Sequence, residues 1–380
     1  VVVGIAAAEH VMTSSIGWSL CGGAIGIALD KIKEEYDFSD FDFSSKTKWC
    51  HLRIGFCALE VLANFGWDIV SILYTESEIP YCSALMDSFV DAVSDPSNTF
   101  VPTIAVKQVL DPKNPDDYLR ILQMVQQRSR VVIFCMDLPL DRRAFLAKAS
   151  EAGMTTEEYV FIMFSTRSQG FGMHFYFMGY IRLPSLSNSF SGHTGTGKDV
   201  LSSGLTAFWE DTENKNTDGL DAIAKQAAKR AIVLDIDATV SNQTYMAHFK
   251  TDVVRRVRED PLFCNTEECL TNGNKSRGTY ARQLHDTFYM FGMGLSREPT
   301  YYHDATNLTK AMAGDFSGLT GEVQMTENNT RIAVFMLYYL DSNFQQQVFM
   351  TLTYEDANIN ITLNSGDPST TIWATRNGKK

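Results

Sequence analysis

The sequence predicts an α/β fold of two lobes, each with a parallel sheet flanked by helices. Two observations support this fold class. Short apolar runs of strand length alternate with amphipathic patterns of helical period. They form two series, the first ending near residue 93 and the second running from residue 100 to residue 164. The chain also has 380 residues, 44% of them hydrophobic, which is enough for two or three domains with full cores. Disordered proteins and disulfide-stapled miniproteins are therefore excluded.

The first series begins with a β-branched run that predicts a strand. Apolar side chains then recur at helical spacing, and Gly22 and Gly23 in that run suit a helix that lies close against a sheet. The predicted elements are, in order, a strand at 1–8, a helix at 16–32, a strand at 36–43, a helix at 52–65, a strand at 66–74 and a helix at 83–93.

The second series starts at residue 100 and has clearer boundaries. Asp141 is the predicted N-cap of its second helix, and Gly153 is placed to end that helix. The predicted elements are a strand at 100–110, a helix at 116–127, a strand at 131–135, a helix at 141–152 and a strand at 159–164. A Ser-, Gly-, Asn- and Thr-rich loop insertion follows at 184–219, then helices at 219–230, 244–257 and 279–297 and a hairpin of strands at 331–340 and 346–353.

The net charge of −12 argues against nucleic acid or an anionic membrane surface as the main partner. No apolar run approaches the roughly 18 residues of a spanning helix, so the chain as given is expected to be soluble. Seven cysteines fit either a cytosolic enzyme or an oxidised protein. The N-x-Ser/Thr sequons outnumber the about three expected by chance, which favours secretion weakly. These glycosylation candidates are Asn242, Asn274, Asn307, Asn328 and Asn360.

Two motifs could carry catalysis. The run from Gly192 to Asp199 fits the phosphate-loop pattern G-x-x-x-x-G-K, but Asp199 replaces the Ser or Thr that would hold magnesium and no strand precedes the run. A flexible glycine-rich loop explains it better. The run that ends in Asp235 and Asp237 is similar to the start of haloacid-dehalogenase-type phosphatases, where the first Asp attacks phosphorus and the second protonates the leaving group. The alternative is an edge strand that ends in solvated aspartates.

Several segments stand out as an ordered set that covers most of the chain. They are GAIGIALDKI (23–32), FGWDIVSILYT (65–75), YC (81–82), RVVIFC (130–135), GMTTEEYV (153–160), FWED (208–211), YA (280–281) with LHD (284–286), and FSGLTGEV (316–323). In this order they resemble the extracellular ligand-binding region of receptor-type guanylate cyclases, the family that includes the natriuretic peptide receptors. The nematode sensory cyclases are the nearest in character.

The resemblance implies a type I periplasmic-binding-protein-like fold that binds a peptide or small molecule in a cleft or at a dimer surface. It further implies no cofactor, no metal, no catalysis by this chain, and a homodimer formed through the N-terminal lobe. In the family this region lies outside the cell, and a membrane helix, a kinase-like region and a cyclase domain follow it. Any membrane attachment would come from such a downstream segment, absent from these residues. The Asp235/Asp237 phosphatase and a soluble small-molecule binding protein stay open as alternatives.

The resemblance also carries over to the cysteines. Cys82 and Cys135 match a disulfide pair of the natriuretic peptide receptors, and Cys264 and Cys269 could close a small local loop. Cys50 matches the first member of the N-terminal disulfide, but its partner is missing. Only one helix separates the predicted strands at 36–43 and 66–74, where the family has further strand–helix units. Roughly 60 residues are therefore absent, and the first lobe is expected to lack central strands.

The predicted lobes are 1–98 with about 277–320, and 99–276 with about 321–380. Because open α/β sheets bind ligands at the carboxyl ends of their strands, the residues that follow the strands are the ligand candidates. These are Ala8, Glu9, Tyr74, Thr75, Glu76, Met136, Asp137, Ser165 and Thr166. The carboxylates among them could instead be solvated loop residues, and the last two could be helix caps.

Overall fold

The computed structural model describes residues 18–36, 54–76, 81–114, 116–173, 199–212, 216–237, 239–240, 242–274, 277–278, 280–327, 331–355 and 358–364. Several predictions fall outside these residues: the strand at 1–8, nearly all of that at 36–43, the loop at 192–198, and Ala8, Glu9, Cys50 and Asn328. The chain forms two compact units. Among the described residues, unit 1 holds 18–36 and 239–332, and unit 2 holds 54–237 and 333–364.

The helices are, in chain order, Trp18–Cys21 (α1), Gly23–Glu35 (α2), Ile54–Phe65 (α3), Tyr81–Ser94 (α4), Asp116–Gln126 (α5), Pro139–Glu151 (α6), Asp221–Ala228 (α7), Gln243–Arg256 (α8), Glu267–Leu270 (α9), Ala281–Arg297 (α10) and Ala305–Ala311 (α11). The strands are Ile69–Thr75 (β1), Thr103–Leu110 (β2), Val131–Cys135 (β3), Val160–Phe164 (β4), Gly172–Met173 (β5), Thr206–Ala207 (β6), Ala231–Ile236 (β7), Gly314–Gly318 (β8), Gly321–Met325 (β9), Arg331–Ile332 (β10), Phe335–Leu340 (β11), Gln346–Glu355 (β12) and Asn358–Leu363 (β13).

An eight-stranded sheet forms the centre of unit 2, in the order β13-β12-β11-β7-β4-β3-β1-β2. The five strands from β7 to β2 are parallel, and β11, β12 and β13 extend the sheet in antiparallel fashion. Side chains alternate along a strand, so Ile133 packs with α3 and α4 while the Phe134 ring lies 4.9 Å from that of Phe145 on α6. Helices therefore cover both faces, which confirms the predicted α/β class.

The position of β1 differs from the predicted lobe assignment. The prediction placed β1 in the first lobe, which grouped 1–98 with about 277–320. In the structure β1 lies between β2 and β3 in the sheet of unit 2, and Tyr74 pairs with Cys135. Conversely, residues 242–274, predicted with 99–276, pack in unit 1 with α10 and α2. The reason is that strand and helix partners are chosen by contacts distant in sequence, which a local pattern does not report.

Unit 1 is mainly helical in its described part, with a small antiparallel sheet of β8, β9 and β10. Helix α2 packs against both α8 and α10. A Cβ atom on Gly23 would lie 1.8 Å from the carbonyl oxygen of Val253 on α8, so the glycine is what permits this approach. The neighbour that requires the glycine is thus a helix, rather than the sheet that the sequence suggested.

Two further predictions are corrected. Helix α6 begins at Pro139 with Leu138 as its N-cap, and Asp141 lies in the first turn instead of capping it, because proline suits the first helical position. Residues 199–212 of the predicted loop insertion are folded against unit 2, where Phe208 and Trp209 are buried. Burial of these two aromatic side chains stabilises the fold, whereas in a solvated loop their apolar surface would stay exposed to water.

Candidate functional site

The carboxyl ends of four parallel strands of unit 2 form one polar edge. Strands β1, β3, β4 and β7 are paired in register, so the residues at their carboxyl ends stand side by side. We call this set the carboxyl edge. It consists of Thr75, Glu76, Met136, Asp137, Ser165, Thr166 and Asp235.

Tyr81, the first residue of α4, ties parts of the carboxyl edge together. Its hydroxyl accepts a hydrogen bond from the backbone N–H of Thr166 at 2.9 Å and lies 3.2 Å from the Thr166 Oγ1. The guanidinium of Arg167 lies over the Tyr81 ring, 4.3 Å from its centroid. Arg167 also pairs with the carboxylate of Asp137. The ends of β3 and β4 and the start of α4 are therefore held in one polar network.

A disulfide strengthens the same junction. Cys82 is bonded to Cys135 at the end of β3, with the two Cα atoms 5.4 Å apart. A second disulfide joins Cys264 to Cys269 in unit 1. The first pair is the one that the resemblance implies, and the second closes the small local loop that the sequence suggested. The first bridge spans 53 residues of sequence and fixes the start of α4, and with it Tyr81, beside β3.

Asp235 lies near the end of β7 with its carboxylate enclosed by backbone donors. Ser168 and Ile236 donate to Oδ1 at 2.9 and 2.8 Å, and Gln169 and Gly170 donate to Oδ2 at 2.8 and 3.0 Å. The residue is 0% exposed. A carboxylate so enclosed cannot attack phosphorus, so the geometry does not support the phosphatase hypothesis. The alternative of a solvated edge-strand aspartate is also wrong, because β7 lies inside the sheet between β4 and β11.

Arg142 reaches the carboxyl edge from the beginning of α6. It is 3% exposed, and it donates to the carbonyl oxygens of Met136 at 2.8 Å and Asp137 at 3.3 Å. Within the described part of the chain it forms no ion pair. Burial, followed by the charge of Arg167, lowers the pKa of the Arg142 guanidinium to about 10.

Six of the predicted ligand residues lie on the carboxyl edge, and a seventh, Tyr74, does not. Tyr74 is buried in the core with residues of α3 and α4. Thr75 is 2% exposed, and its Oγ1 has no hydrogen-bond partner among the described residues. Glu76 is exposed, whereas Asp137 and Thr166 are half-buried. Direct ligand contact by these residues stays a prediction.

Three residues that contact the carboxyl edge were not predicted from the sequence: Tyr81, Arg142 and Arg167. The two arginines follow strands by several residues, and nothing local marks a buried arginine. Tyr81 carried a usable signal, because it adjoins a cysteine whose disulfide partner ends a neighbouring strand.

Asp199, the last residue of the glycine-rich run, is held by two side chains of unit 2. Its carboxylate accepts a hydrogen bond from Trp209 Nε1 at 2.9 Å and pairs with Lys225 at 2.6 Å. In the ranges that the structure describes, no group of three or more His, Cys, Asp or Glu side chains is placed to hold a metal ion. Every described helix is too short or too polar to serve as a membrane span.

A second polar cluster is buried in unit 1. His285 contacts the Asp286 carboxylate through Nδ1 and the Tyr245 hydroxyl through Nε2, both at 2.8 Å. Asp286 also accepts the backbone N–H groups of Leu319 and Thr320 at 2.8 and 2.7 Å. Burial opposes ionisation of Asp286, but the hydrogen bond and charge of His285 lower its pKa overall. The cluster satisfies its own polar atoms and fastens the β8–β9 turn, which is a folding role.

A mostly parallel sheet covered by helices, with polar residues gathered at the strand ends beside a disulfide, defines a ligand-binding protein of the periplasmic-binding-protein-like class. The chain belongs to the family described as the receptor family ligand binding region, whose model matches residues 30–343. The match confirms the family resemblance seen in the sequence.

The relatives are receptor-type guanylate cyclases of nematodes. The chain is 29% identical to gcy-1 and 28% identical to gcy-2 of Caenorhabditis elegans, in each case over 98% of this chain and 38% of the relative. It is 30% identical to gcy-4 of the same species over 89% of this chain and 28% of that protein. The chain thus spans well under half the length of these relatives, whose cyclase domain lies outside the matched region.

The alignment with gcy-1 is longer than the chain itself. It runs over 451 positions, although this chain has 380 residues, so the relative has at least 71 positions without a counterpart here. The placement of the missing segment before residue 66 stays a prediction.

Proposed function

We propose that this chain is the extracellular ligand-binding region of a receptor guanylate cyclase and that the carboxyl edge of unit 2 contacts the ligand. One observation supports ligand contact by the carboxyl edge. The polar network of Tyr81, Asp137, Thr166 and Arg167 lies at the carboxyl ends of the strands, which is where open α/β sheets bind their ligands. The ligand is a peptide or a small molecule. The chain transmits binding by a change in conformation or dimer arrangement, with homodimers formed through its N-terminal part, and catalyses no reaction itself.

A ligand screen on the secreted chain tests the binding part of the proposal. A compound that binds only the folded state raises its stability, by about 2.7 kcal/mol at a concentration of 100 Kd. Asp137→Asn is expected to weaken such a compound by about tenfold, the cost of one charge-assisted contact, and Thr166→Val by about three- to tenfold, the cost of one neutral hydrogen bond. Asp91→Asn on the exposed side of α4 is the matched control for lost charge. Binding that survives both edge variants unchanged would place the ligand elsewhere.

The receptor part requires the parent gene. We expect the complete transcript to encode a membrane-spanning helix and a guanylate cyclase domain downstream of Lys380. A transcript that encodes neither would favour the soluble binding protein instead. Sedimentation of the secreted chain over a concentration series tests the dimer, because self-association must depend on protomer concentration.

A further inference from the structure

We propose that Asn360 carries an N-linked glycan and that this glycan covers the β13 edge of the eight-stranded sheet in unit 2. The modification rests on the proposed function, because N-linked glycans are added to chains that enter the secretory pathway. The role of the glycan goes beyond that function, since it keeps a strand edge from pairing with a strand of another molecule.

The first argument is the position of β13. It is the last strand of the sheet, and within the described residues it pairs only with β12, over Asn358–Leu363. An edge strand presents backbone N–H and C=O groups along one side, and these groups can pair with a strand of another molecule. β13 is six residues long, which is the length of the segments that associate in this way.

The second argument is that β13 lacks the side chains that usually prevent edge pairing. It has the sequence NINITL, which contains no charged residue, no proline and no glycine. Ile359, Ile361 and Thr362 are β-branched and therefore favour the extended conformation. Leu363, at the end of the strand, is 60% exposed. Short segments of this composition associate as strands, so β13 requires another form of protection.

The opposite edge of the sheet provides a contrast. Strand β2 carries Lys107, an exposed lysine whose ammonium group lies 3.3 Å from the carboxylate of Asp87 on α4. A lysine on an edge strand disfavours pairing, because a second strand would have to displace water from its charge. β13 has no such residue. Among the sequons that the structure describes, however, only Asn360-Ile361-Thr362 lies in a strand.

The third argument is the face on which Asn360 lies. Ile359 and Ile361 pack against the core of unit 2, so Asn360 and Thr362 lie on the opposite face of the strand. Both are exposed. Across the ladder Asn360 pairs with Thr353, a short polar side chain, so no bulky neighbour stands directly opposite it. A glycan is bulky and strongly hydrated, and one attached to Asn360 Nδ2 extends over this face and past the edge.

Peptide mapping of the secreted chain, expressed in a eukaryotic host, tests the modification. Peptide N-glycosidase converts each glycosylated asparagine to aspartate, which mass spectrometry detects after digestion. We expect this conversion at Asn360. Conversion at any other sequon, such as that of the exposed Asn242, shows independently that the chain was glycosylated.

Three variants of one exposed position test the role of the glycan. Thr362→Ser keeps the sequon, Thr362→Val removes it, and Thr362→Lys removes it while it places a charge on the edge. Sedimentation velocity over a concentration series measures self-association beyond that of the parent chain. We expect Thr362→Val to raise the association constant at least about tenfold, which is equivalent to about 1.4 kcal/mol. Thr362→Ser and Thr362→Lys should stay within about twofold of the parent chain.

Two further comparisons guard against an effect of the threonine substitution itself. Asn360→Gln removes the glycan without a charge and should associate like Thr362→Val, whereas Asn360→Asp adds a carboxylate to the edge and should not. Thr244→Val is the matched control. It removes the sequon of Asn242 on α8 of unit 1 by the same exchange at an exposed position, and it leaves the Asn242 side chain that caps the helix in place. Its self-association should equal that of the parent chain.

The outcomes separate this inference from the proposed function. An unmodified Asn360 in a chain that is modified at another sequon overturns the inference and leaves the proposed extracellular location standing. A modified Asn360 whose loss in Thr362→Val and Asn360→Gln leaves self-association unchanged overturns the shielding role, and with it the inference. A chain modified at no sequon overturns the inference too, and the ligand screen then decides the proposed function separately.

Discussion

Replacing Asp235 by Asn is expected to destabilise unit 2 severely, because the carboxylate holds the β4 loop to β7. Each oxygen accepts two backbone N–H groups, Ser168 and Ile236 on one and Gln169 and Gly170 on the other. An amide keeps only one oxygen, so two buried N–H groups would face an NH2 group and lose their acceptor. At about 1–3 kcal/mol for each unsatisfied group, the expected loss is about 2–6 kcal/mol.

Urea denaturation of the secreted chain, followed by tryptophan fluorescence, measures this loss. We expect the midpoint to fall with the slope unchanged, as for a change in stability without a change in compactness. Asp91→Asn, which removes an exposed carboxylate, should stay within about 0.5 kcal/mol of the parent chain. An Asp235→Asn protein equally stable would refute the structural role, and a loss of phosphatase turnover without destabilisation would restore the rejected enzyme hypothesis.

Three other predictions concern the same unit. Tyr81→Phe keeps the ring but leaves the backbone N–H of Thr166 without its acceptor, and urea denaturation should show a loss of about 1–3 kcal/mol. Replacing Cys82 and Cys135 together by Ser should lower stability by about 2–4 kcal/mol and lower Tm, whereas an unchanged Tm would mean that the bridge restrains nothing. Burial raises the pKa of Asp141 in the folded state to about 6 from 3.8, so its contribution to stability is fully present below pH 3.8 and is lost as pH rises through 6. Asp141→Asn should therefore raise stability at pH 7 by about 1–3 kcal/mol and flatten the pH profile between 4 and 6, and a profile identical to the parent would contradict the assigned pKa.

The sequence predicted what depends on local periodicity. The strand at 131–135 was recognisable as a short continuous apolar run, and the helix at 52–65 by apolar residues that recur every three to four positions. The structure has β3 at Val131–Cys135 and α3 at Ile54–Phe65. The carboxyl edge was also foreseeable in outline, because residues that follow parallel strands must meet at one edge.

The features that escaped prediction depend on contacts distant in sequence. Asp235 reads as a solvated aspartate until the loop after β4 is seen to wrap it with three successive N–H groups. The sequence suggests a surface position for Arg142 on α6, whereas the structure places it against the carbonyl oxygens of Met136 and Asp137, which follow β3. The assignment of β1 to unit 2 likewise follows from its pairing with β3, a choice among partners that no local pattern encodes.

Three restraints among the described residues hold the carboxyl edge, and all three lie within unit 2. The Cys82–Cys135 bridge fixes the start of α4 to β3, Tyr81 fixes α4 to the end of β4, and Asp235 fixes the loop after β4 to β7. These three connections join the ends of β3, β4 and β7, and each is made between residues of unit 2. A chain that lacks at least 71 of the positions in its alignment with gcy-1 can therefore keep this edge in a binding geometry if those positions belong to unit 1. The consequence is that edge variants such as Thr166→Val should change ligand affinity, while variants in the α2–α10 contact of unit 1 should change stability and leave the intrinsic affinity of the edge unaltered.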